Sequence, residues 1–390
     1  MKINEIEISG FKGIQNLIIH PKKINILVGK NNTGKTSILE AINSTLDANT
    51  TRMQIKYDPY LSNLININKK ESKIVVKLEN ESRYLLLTKP ELKEILPEFK
   101  KQVMENIKSI VLSFQTNKNG WEEVEKIFDE ILSKGDILSE LEKNSIRIEI
   151  AGRKTNIFSF TPLMLKEIEP VIEYVNKKFF RGANILIPFM LTDPRFYNPK
   201  GIEKSEKNVI FIKILALNPS LSISVDKSTV EKIQNYLKNK KIVESLERFD
   251  FDKLLFRDNK KEYEIPYSFM GDGFKSLVGF IAKTSIENKI ILIEEPENHM
   301  HPAYIKDIIR QIIDFTIEND AQFFIATHSS DVLDAVLTDV LEPSYQEYLS
   351  NQLNIIALDY LGGEVITQEF DRKEAQSVLE DIESDLRGNK

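Results

Sequence analysis

Residues Gly29 to Thr36 read GKNNTGKT and fit the phosphate-binding pattern G-x-x-x-x-G-K-[ST] at every fixed position. The pattern constrains the fold because such a loop works between a buried strand and a helix. Ile24 to Val28 (INILV) is a short apolar run that reads as the strand. Ser37 to Leu46 reads as the helix, with Ile38, Leu39, Ile42 and Leu46 on one face. Loop N–H groups and the positive end of the helix dipole then converge on one anion. The candidate phosphate-binding residues are Gly29, Asn31, Asn32, Thr33, Gly34, Lys35, Thr36 and Ser37. In this pattern Lys35 reaches the β- and γ-phosphates, and the Thr36 hydroxyl binds Mg²⁺.

Far downstream, Lys289 to Pro302 reads KIILIEEPENHMHP. Ile290 to Ile293 form a strand that must be buried on both faces, as in a parallel sheet. Glu294 and Glu295 stand at its C-terminal end, the edge where α/β sheets bind ligands. Hydrolysis needs two acids in different roles. Glu294 is the candidate metal-orienting acid, because Mg²⁺ keeps several waters and takes few protein ligands. Glu295 is the candidate general base, positioning and deprotonating the attacking water. Adjacent residues on an ending strand diverge in direction and can divide those tasks. A solvent-exposed acidic pair is the plainer alternative.

Gln322 to Ser330 reads QFFIATHSS, an apolar strand ending in Thr327, His328 and Ser329. A histidine there can contact the γ-phosphate and the attacking water, which makes His328 a second catalytic candidate. The chain has four histidines, His20, His299, His301 and His328, and all but His20 lie in these two strand-end motifs.

The constellation resembles the ABC-type ATPase heads, and within them the SMC/RecF and overcoming-lysogenization-defect (OLD) branch, of the AAA-15 and AAA-21 kind. In that family the phosphate loop, an EEPE-type strand end (here Glu294 to Glu297) and a switch histidine (here His328) follow in this order. Ile8 to Ile14 (ISGFKGI) is similar to the first strand of these heads, which implies that Lys12 lies near the nucleotide phosphates. The resemblance implies an α/β fold: a P-loop NTPase, ABC-type, with an N-terminal antiparallel β lobe and a mostly helical insertion. The head is expected over 1–90 and 255–390, and the insertion lobe over 91–254. ATP and Mg²⁺ are the implied ligands.

The family's signature motif has one credible counterpart, Met270 to Leu277 (MGDGFKSL). By resemblance, Gly271, Gly273 and Lys275 would meet the nucleotide of a second subunit, and His301 would fall at the same seam. Two departures stand out. Gly271 has no hydroxyl for a γ-phosphate, and Asp272 adds a charge that would repel it. A backbone nest and the following helix N-terminus could still bind phosphate. Glu294 replaces the Asp that most relatives outside the OLD branch carry, so metal contact could run through water. His299 and His301 could instead be an HxH metal pair, but no cysteine or third ligand stands nearby.

Composition narrows the setting. There is no Cys, which excludes disulfides and suits a reducing cytosol. No apolar run is long enough to span a bilayer, and the opening MKINEIEISG lacks a signal-peptide core. A cytoplasmic protein without membrane contact is expected. With 53 basic and 59 acidic residues, the net charge of -6 argues against whole-surface attraction to nucleic acid.

Residues 2–9 and 16–20 read as a strand pair, and 73–77 with 83–88 as a hairpin around a polar ENES turn. Helical spacing then dominates. It shows no sustained heptads, so a long coiled-coil arm is not expected. Residues 353–358 and 364–369 read as a last hairpin, followed by an amphipathic helix near 372–387. In the insertion, Lys177, Lys178, Arg181, Lys200, Lys204, Lys207, Lys232, Lys238, Lys240 and Lys241 gather near Phe179, Phe180, Phe196 and Tyr197. They could form a nucleic-acid face or a solvated helix surface.

Several OLD relatives carry a TOPRIM-type nuclease domain, which needs a Glu and a D-x-D pair. The acids after His328 (Asp359, Glu364, Glu369, Asp371) do not supply it. The expectation is an ATPase alone, working as an ATP-stabilised homodimer with a separate effector such as a nuclease, in phage defence or DNA repair. A nucleotide-gated scaffold with very slow hydrolysis is the alternative.

Overall fold

The computed structural model describes residues 1–47, 61–113, 120–133, 135–180, 209–213, 227–239, 243, 245–258, 261–284, 290–298 and 302–379. The chain opens with an antiparallel pair, β1 (Ile3–Phe11) and β2 (Ile14–Ile19), turning at Lys12 and Gly13. Then come β3 (Ile24–Gly29), the phosphate loop and α1 (Lys35–Leu46). The hairpin at the ENES turn is β4 (Glu71–Leu78) with β5 (Ser82–Thr88). Helices α2 (Leu92–Ser113), α3 (Trp121–Leu132) and α4 (Gly135–Lys143) follow. The hairpin β6 (Ser145–Ile150) and β7 (Arg153–Phe158) separates them from α5 (Pro162–Glu167) and α6 (Glu169–Phe179). Next are β8 (Val209–Lys213) and α7 (Lys227–Asn239), then an antiparallel sheet of β9 (Leu246–Phe249), β10 (Lys253–Asp258) and β11 (Lys261–Pro266). The chain continues through α8 (Asp272–Thr284), β12 (Ile290–Glu294), α9 (Pro302–Asn319), β13 (Gln322–Ala326), α10 (Ser330–Leu337) and α11 (Pro343–Gln352). It closes with the hairpin β14 (Leu353–Leu361) and β15 (Glu364–Phe370), and α12 (Arg372–Ser377). The rest of the helix expected to 387 lies largely outside the described residues.

Two six-stranded sheets organise the head. One runs β15-β14-β3-β13-β12-β8, parallel from β14 to β8, with β15 antiparallel at its edge. Parallel strands covered on both faces must be apolar at successive positions, and β3 and β13 are buried throughout. The period-two alternation sorts their side chains into two cores. Ile26, Ile291, Ile293, Phe323 and Ile325 face a layer holding Ile233 of α7, Leu277 of α8, Ile308 of α9 and Val332 of α10. Leu27, Leu292, Phe324 and Ala326 face Leu39 and Ile42 of α1. The second sheet, β2-β1-β4-β5-β6-β7, closes over that side with Ile6, Ile8, Ile74 and Leu85. Burial of each such aliphatic chain contributes about 1.5–3 kcal/mol. The helix α1 is thus clamped between two sheets, which fixes the loop at its N-terminus.

The stretch 91–254, expected as one mostly helical lobe, divides three ways. Helices α2 to α6 enclose their own core of Phe99, Phe128, Ile137, Met164 and Val171, with Phe99 edge-on to Phe158 at 5.7 Å. The β6 strand instead pairs with β5 and extends the antiparallel sheet. The β8 strand pairs with β12 and extends the parallel one, while Ile233 and Leu237 of α7 join the main core. A strand's own pattern says which of its faces is buried, not which edge it will join. Among the described residues, no helix is long and apolar enough to cross a membrane.

Candidate functional site

The phosphate loop owes its path to two glycines. Gly29 has φ +146°, and a Cβ there would sit 2.3 Å from the Leu358 carbonyl oxygen, so no other residue fits. Gly34 (φ +96°) precedes α1 in a left-handed conformation and leaves the first turn of the helix without a side-chain cap. The N–H groups of that turn therefore suit an anion. The Thr33 hydroxyl donates to the Lys30 carbonyl at 2.9 Å and braces the loop. Lys35 is 5% exposed, and its Nζ donates to the carbonyls of Gly29 and Lys30, each at 2.7 Å. Burial lowers its pKa to about 8, against the opposing pull of Glu295 and Glu297. Asn31 and Asn32 are exposed on the loop, and Ser37 is half-buried in the first turn.

The two acids at the end of β12 meet different partners. The Thr36 hydroxyl donates to Glu294 at 2.5 Å. One residue on, Glu295 takes a left-handed backbone (φ +51°), and its N–H donates to the Ala326 carbonyl at 2.8 Å. That turn costs on the order of 1 kcal/mol or more for a residue with a side chain. It leaves Glu295 Oε1 4.0 Å from His328 Nε2, while Oε2 accepts from Asn298 Nδ2 at 2.5 Å. His328 has a lowered pKa, first from burial and then from Lys35, with Glu295 acting in the opposite sense. Burial raises the pKa of Glu297. Asn298 and Glu297 carried no assignment from sequence, because spacing alone does not give the direction of a turn.

The donor set suits Mg²⁺. Thr36 and Glu294 offer hard oxygens at the mouth of the loop, and Mg²⁺ is commonly held by one or two such groups plus substrate phosphates. No group of three or more His, Cys, Asp or Glu side chains is arranged as a metal cage among the described residues.

Lys12 sits at a left-handed position (φ +50°) between β1 and β2 and forms an ion pair with Glu40 of α1. Its turn is held by Lys12 N–H donating to Leu64 O at 2.9 Å and by Asn66 Nδ2 donating to Lys12 O at 2.8 Å. Lys12, Asn66, Ile67, Tyr360 and Gly363 are among the residues lining a cavity of about 480 Å³. Gly271, Gly273 and Lys275 lie apart, at the start of α8. There Lys275 donates to Ser268 O at 2.9 Å and stands 3.6 Å from Asp272, so its described contacts are local. His299 and His301 lie outside the described residues. So do Arg181, Lys200, Lys204, Lys207, Lys240, Lys241, Phe196 and Tyr197. Lys178 is within 3.4 Å of Glu123.

Residues 24–334 match the family described as "AAA domain, putative AbiEii toxin, Type IV TA system". An "ATP/GTP phosphatase" from Helicobacter pylori is 22% identical over 364 residues, covering 86% of this chain and 89% of that protein. Among solved structures, the "SMC head domain from Thermotoga maritima" is similar at 11% identity and TM-score 0.47, covering 95% of this chain and 99% of that one. An SMC head bound to the C-winged helix domain of ScpA is similar at 14% identity and TM-score 0.46, covering 96% of this chain and 100% of that one.

Proposed function

This chain belongs to that AAA-domain family and is a P-loop ATPase of its kind; from that premise we propose that it binds ATP with Mg²⁺ and hydrolyses it. The carrying observation is the junction of three strand ends. Thr36, in the first turn of α1 after the β3 loop, is bonded to Glu294 at the end of β12, with His328 after β13 standing 4.0 Å from Glu295. Lys35 and the first turn of α1 would hold the phosphates. Thr36 and Glu294 would hold Mg²⁺, which would neutralise charge on the β- and γ-phosphates. Glu295 would take the proton of the attacking water, with His328 beside it. The cavity next to Lys12 is large enough for the nucleoside end of ATP.

In this reading two heads pair head-to-tail, each P-loop facing Gly271, Gly273 and Lys275 of the other. By resemblance, His301 would belong to that seam. ATP stabilises the homodimer and hydrolysis reopens it. The OLD-type motifs support a role in phage defence or DNA repair, with a separate effector such as a TOPRIM-type nuclease, and nucleic acid as a further partner. A second reading, a nucleotide-gated scaffold with very slow turnover, has one observation in its favour. The Asp272 side chain is 84% exposed at the start of α8, where its charge would oppose a γ-phosphate. ATP turnover with and without DNA separates the two. Lys35→Ala is the control: it should weaken ATP binding at least ~10-fold, about 1.4 kcal/mol. Wild-type affinity in that variant would sink the assignment.

A further inference from the structure

The structure brings Glu297, a residue of the turn after β12, into contact with the segment that carries His328. One carboxylate oxygen, Oε1, accepts from the Thr327 hydroxyl at 2.7 Å and from the His328 backbone N–H at 3.0 Å. The Thr327 hydroxyl also accepts from Ser329 N–H at 3.0 Å, and Thr327 N–H donates to Leu27 O at 3.1 Å. A single side chain therefore holds Thr327 and the backbone of the histidine to the β12 turn, and Thr327 in turn holds Ser329. The other oxygen, Oε2, is buried and has no hydrogen-bond partner among the described residues. Burying a carboxylate oxygen in this way is unfavourable, so the position is not a casual surface acid. A small apolar residue would avoid that burial but leave the Thr327 hydroxyl and the His328 N–H without their acceptor.

We propose that Glu297 is a positioning residue for hydrolysis, holding His328 at the Glu295 carboxylate by fixing the Thr327–His328 backbone. The inference rests on the hydrolytic reading above. Glu297 touches neither water nor phosphate in this account. It acts through His328. Its amide analogue, Glu297→Gln, keeps an oxygen acceptor in place, whereas Glu297→Ala removes it.

Two measurements on the full chain test this. The first is steady-state ATP turnover for Glu297→Ala, Glu297→Gln, His328→Ala and the double variant, with melting temperatures alongside. Glu297→Ala should lower kcat on the order of 10- to 100-fold with KM little changed, as expected when a reacting group is misplaced. Glu297→Gln should retain most of the wild-type kcat. In the His328→Ala background, Glu297→Ala should add less than about a further twofold, because both changes remove the same contribution. Losses that multiply, or a raised KM with unchanged kcat, would overturn the proposal.

The second measurement does not depend on turnover. The imidazole ¹H–¹⁵N signals of the four histidines are few enough to assign by substitution. Glu297→Ala should move the His328 signal and leave the other three in place, and Glu297→Gln should move it little. Should wild type hydrolyse no nucleotide, the hydrolytic reading fails and this signal alone decides. An unmoved His328 signal then overturns the positioning role.

Discussion

The Thr36 hydroxyl donates to the carboxylate of Glu294 across 2.5 Å, joining two residues 258 positions apart. Its neighbour Glu295 turns away through a left-handed backbone toward His328. The two acids should therefore fail differently. Glu295→Gln should keep ATP bound and lower turnover by about 10²–10⁴-fold. Glu294→Gln should instead weaken the Mg²⁺ dependence of binding. The opposite pattern in a Mg²⁺ titration and a turnover assay would exchange the assignments.

Lys35 gives binding a pH signature. Without nucleotide its pKa is lowered to about 8, chiefly by burial. It loses its proton as pH rises through that value, and a bound phosphate would hold the proton on. ATP affinity should be level with respect to this group below about pH 8 and fall above it, toward the ordinary lysine range. Calorimetry at about pH 9 in two buffers of different ionisation enthalpy should show net proton uptake. Equal heats in both buffers would count against the burial of Lys35.

His328 titrates in the other direction of interest. Burial and Lys35 hold its pKa below the ordinary histidine value. Its midpoint lies below the ordinary histidine value in the nucleotide-free protein, so a break in the kcat/KM profile on its account should fall below about pH 6.5. A break at or above that pH that vanishes in His328→Ala would contradict the arrangement.

Much of this site was legible in the chain. The glycine spacing of the phosphate loop, the INILV and IILI runs and the QFFIATHS strand each announce a buried strand with a polar end, and the structure supplies all three. Local pattern carries that information because each strand is apolar on both faces. Glu297, Asn298 and Glu40 were not assigned. Their roles depend on where a turn points and on a helix packed across from Lys12, which no local spacing encodes. The same limit applies to the pairing of β6 with β5 and of β8 with β12, which spans long stretches of sequence.

The trans arrangement has its own test. Gly273→Asp at the start of α8 should leave ATP binding by the monomer intact and abolish turnover and the ATP-driven rise in mass. Light scattering with and without ATP, at fixed protein concentration, measures the latter. The gain in mass should be largest in Glu295→Gln, where hydrolysis no longer reopens the pair. Full activity in Gly273→Asp, with an oligomeric state indifferent to nucleotide, would rule the arrangement out.

Gly29→Ala probes the loop itself. A methyl group would stand 2.3 Å from the backbone oxygen of Leu358, at φ +146°. A loss of about 1–3 kcal/mol or more in denaturant unfolding is expected. An undiminished midpoint would mean that β3 and β14 do not approach as described.

The pairing of β8 with β12 sets a limit on how this molecule can be cut. All five register pairs from Ile290↔Val209 to Glu294↔Lys213 are made with an edge strand that falls, in sequence, inside the stretch 91–254. A version of the protein trimmed to 1–90 joined to 255–390 would expose the open flank of the strand that ends in Glu294. Unpaired, that flank is an invitation to aggregate. A minimal head that behaves in solution must retain residues 209–213, or be given a substitute strand.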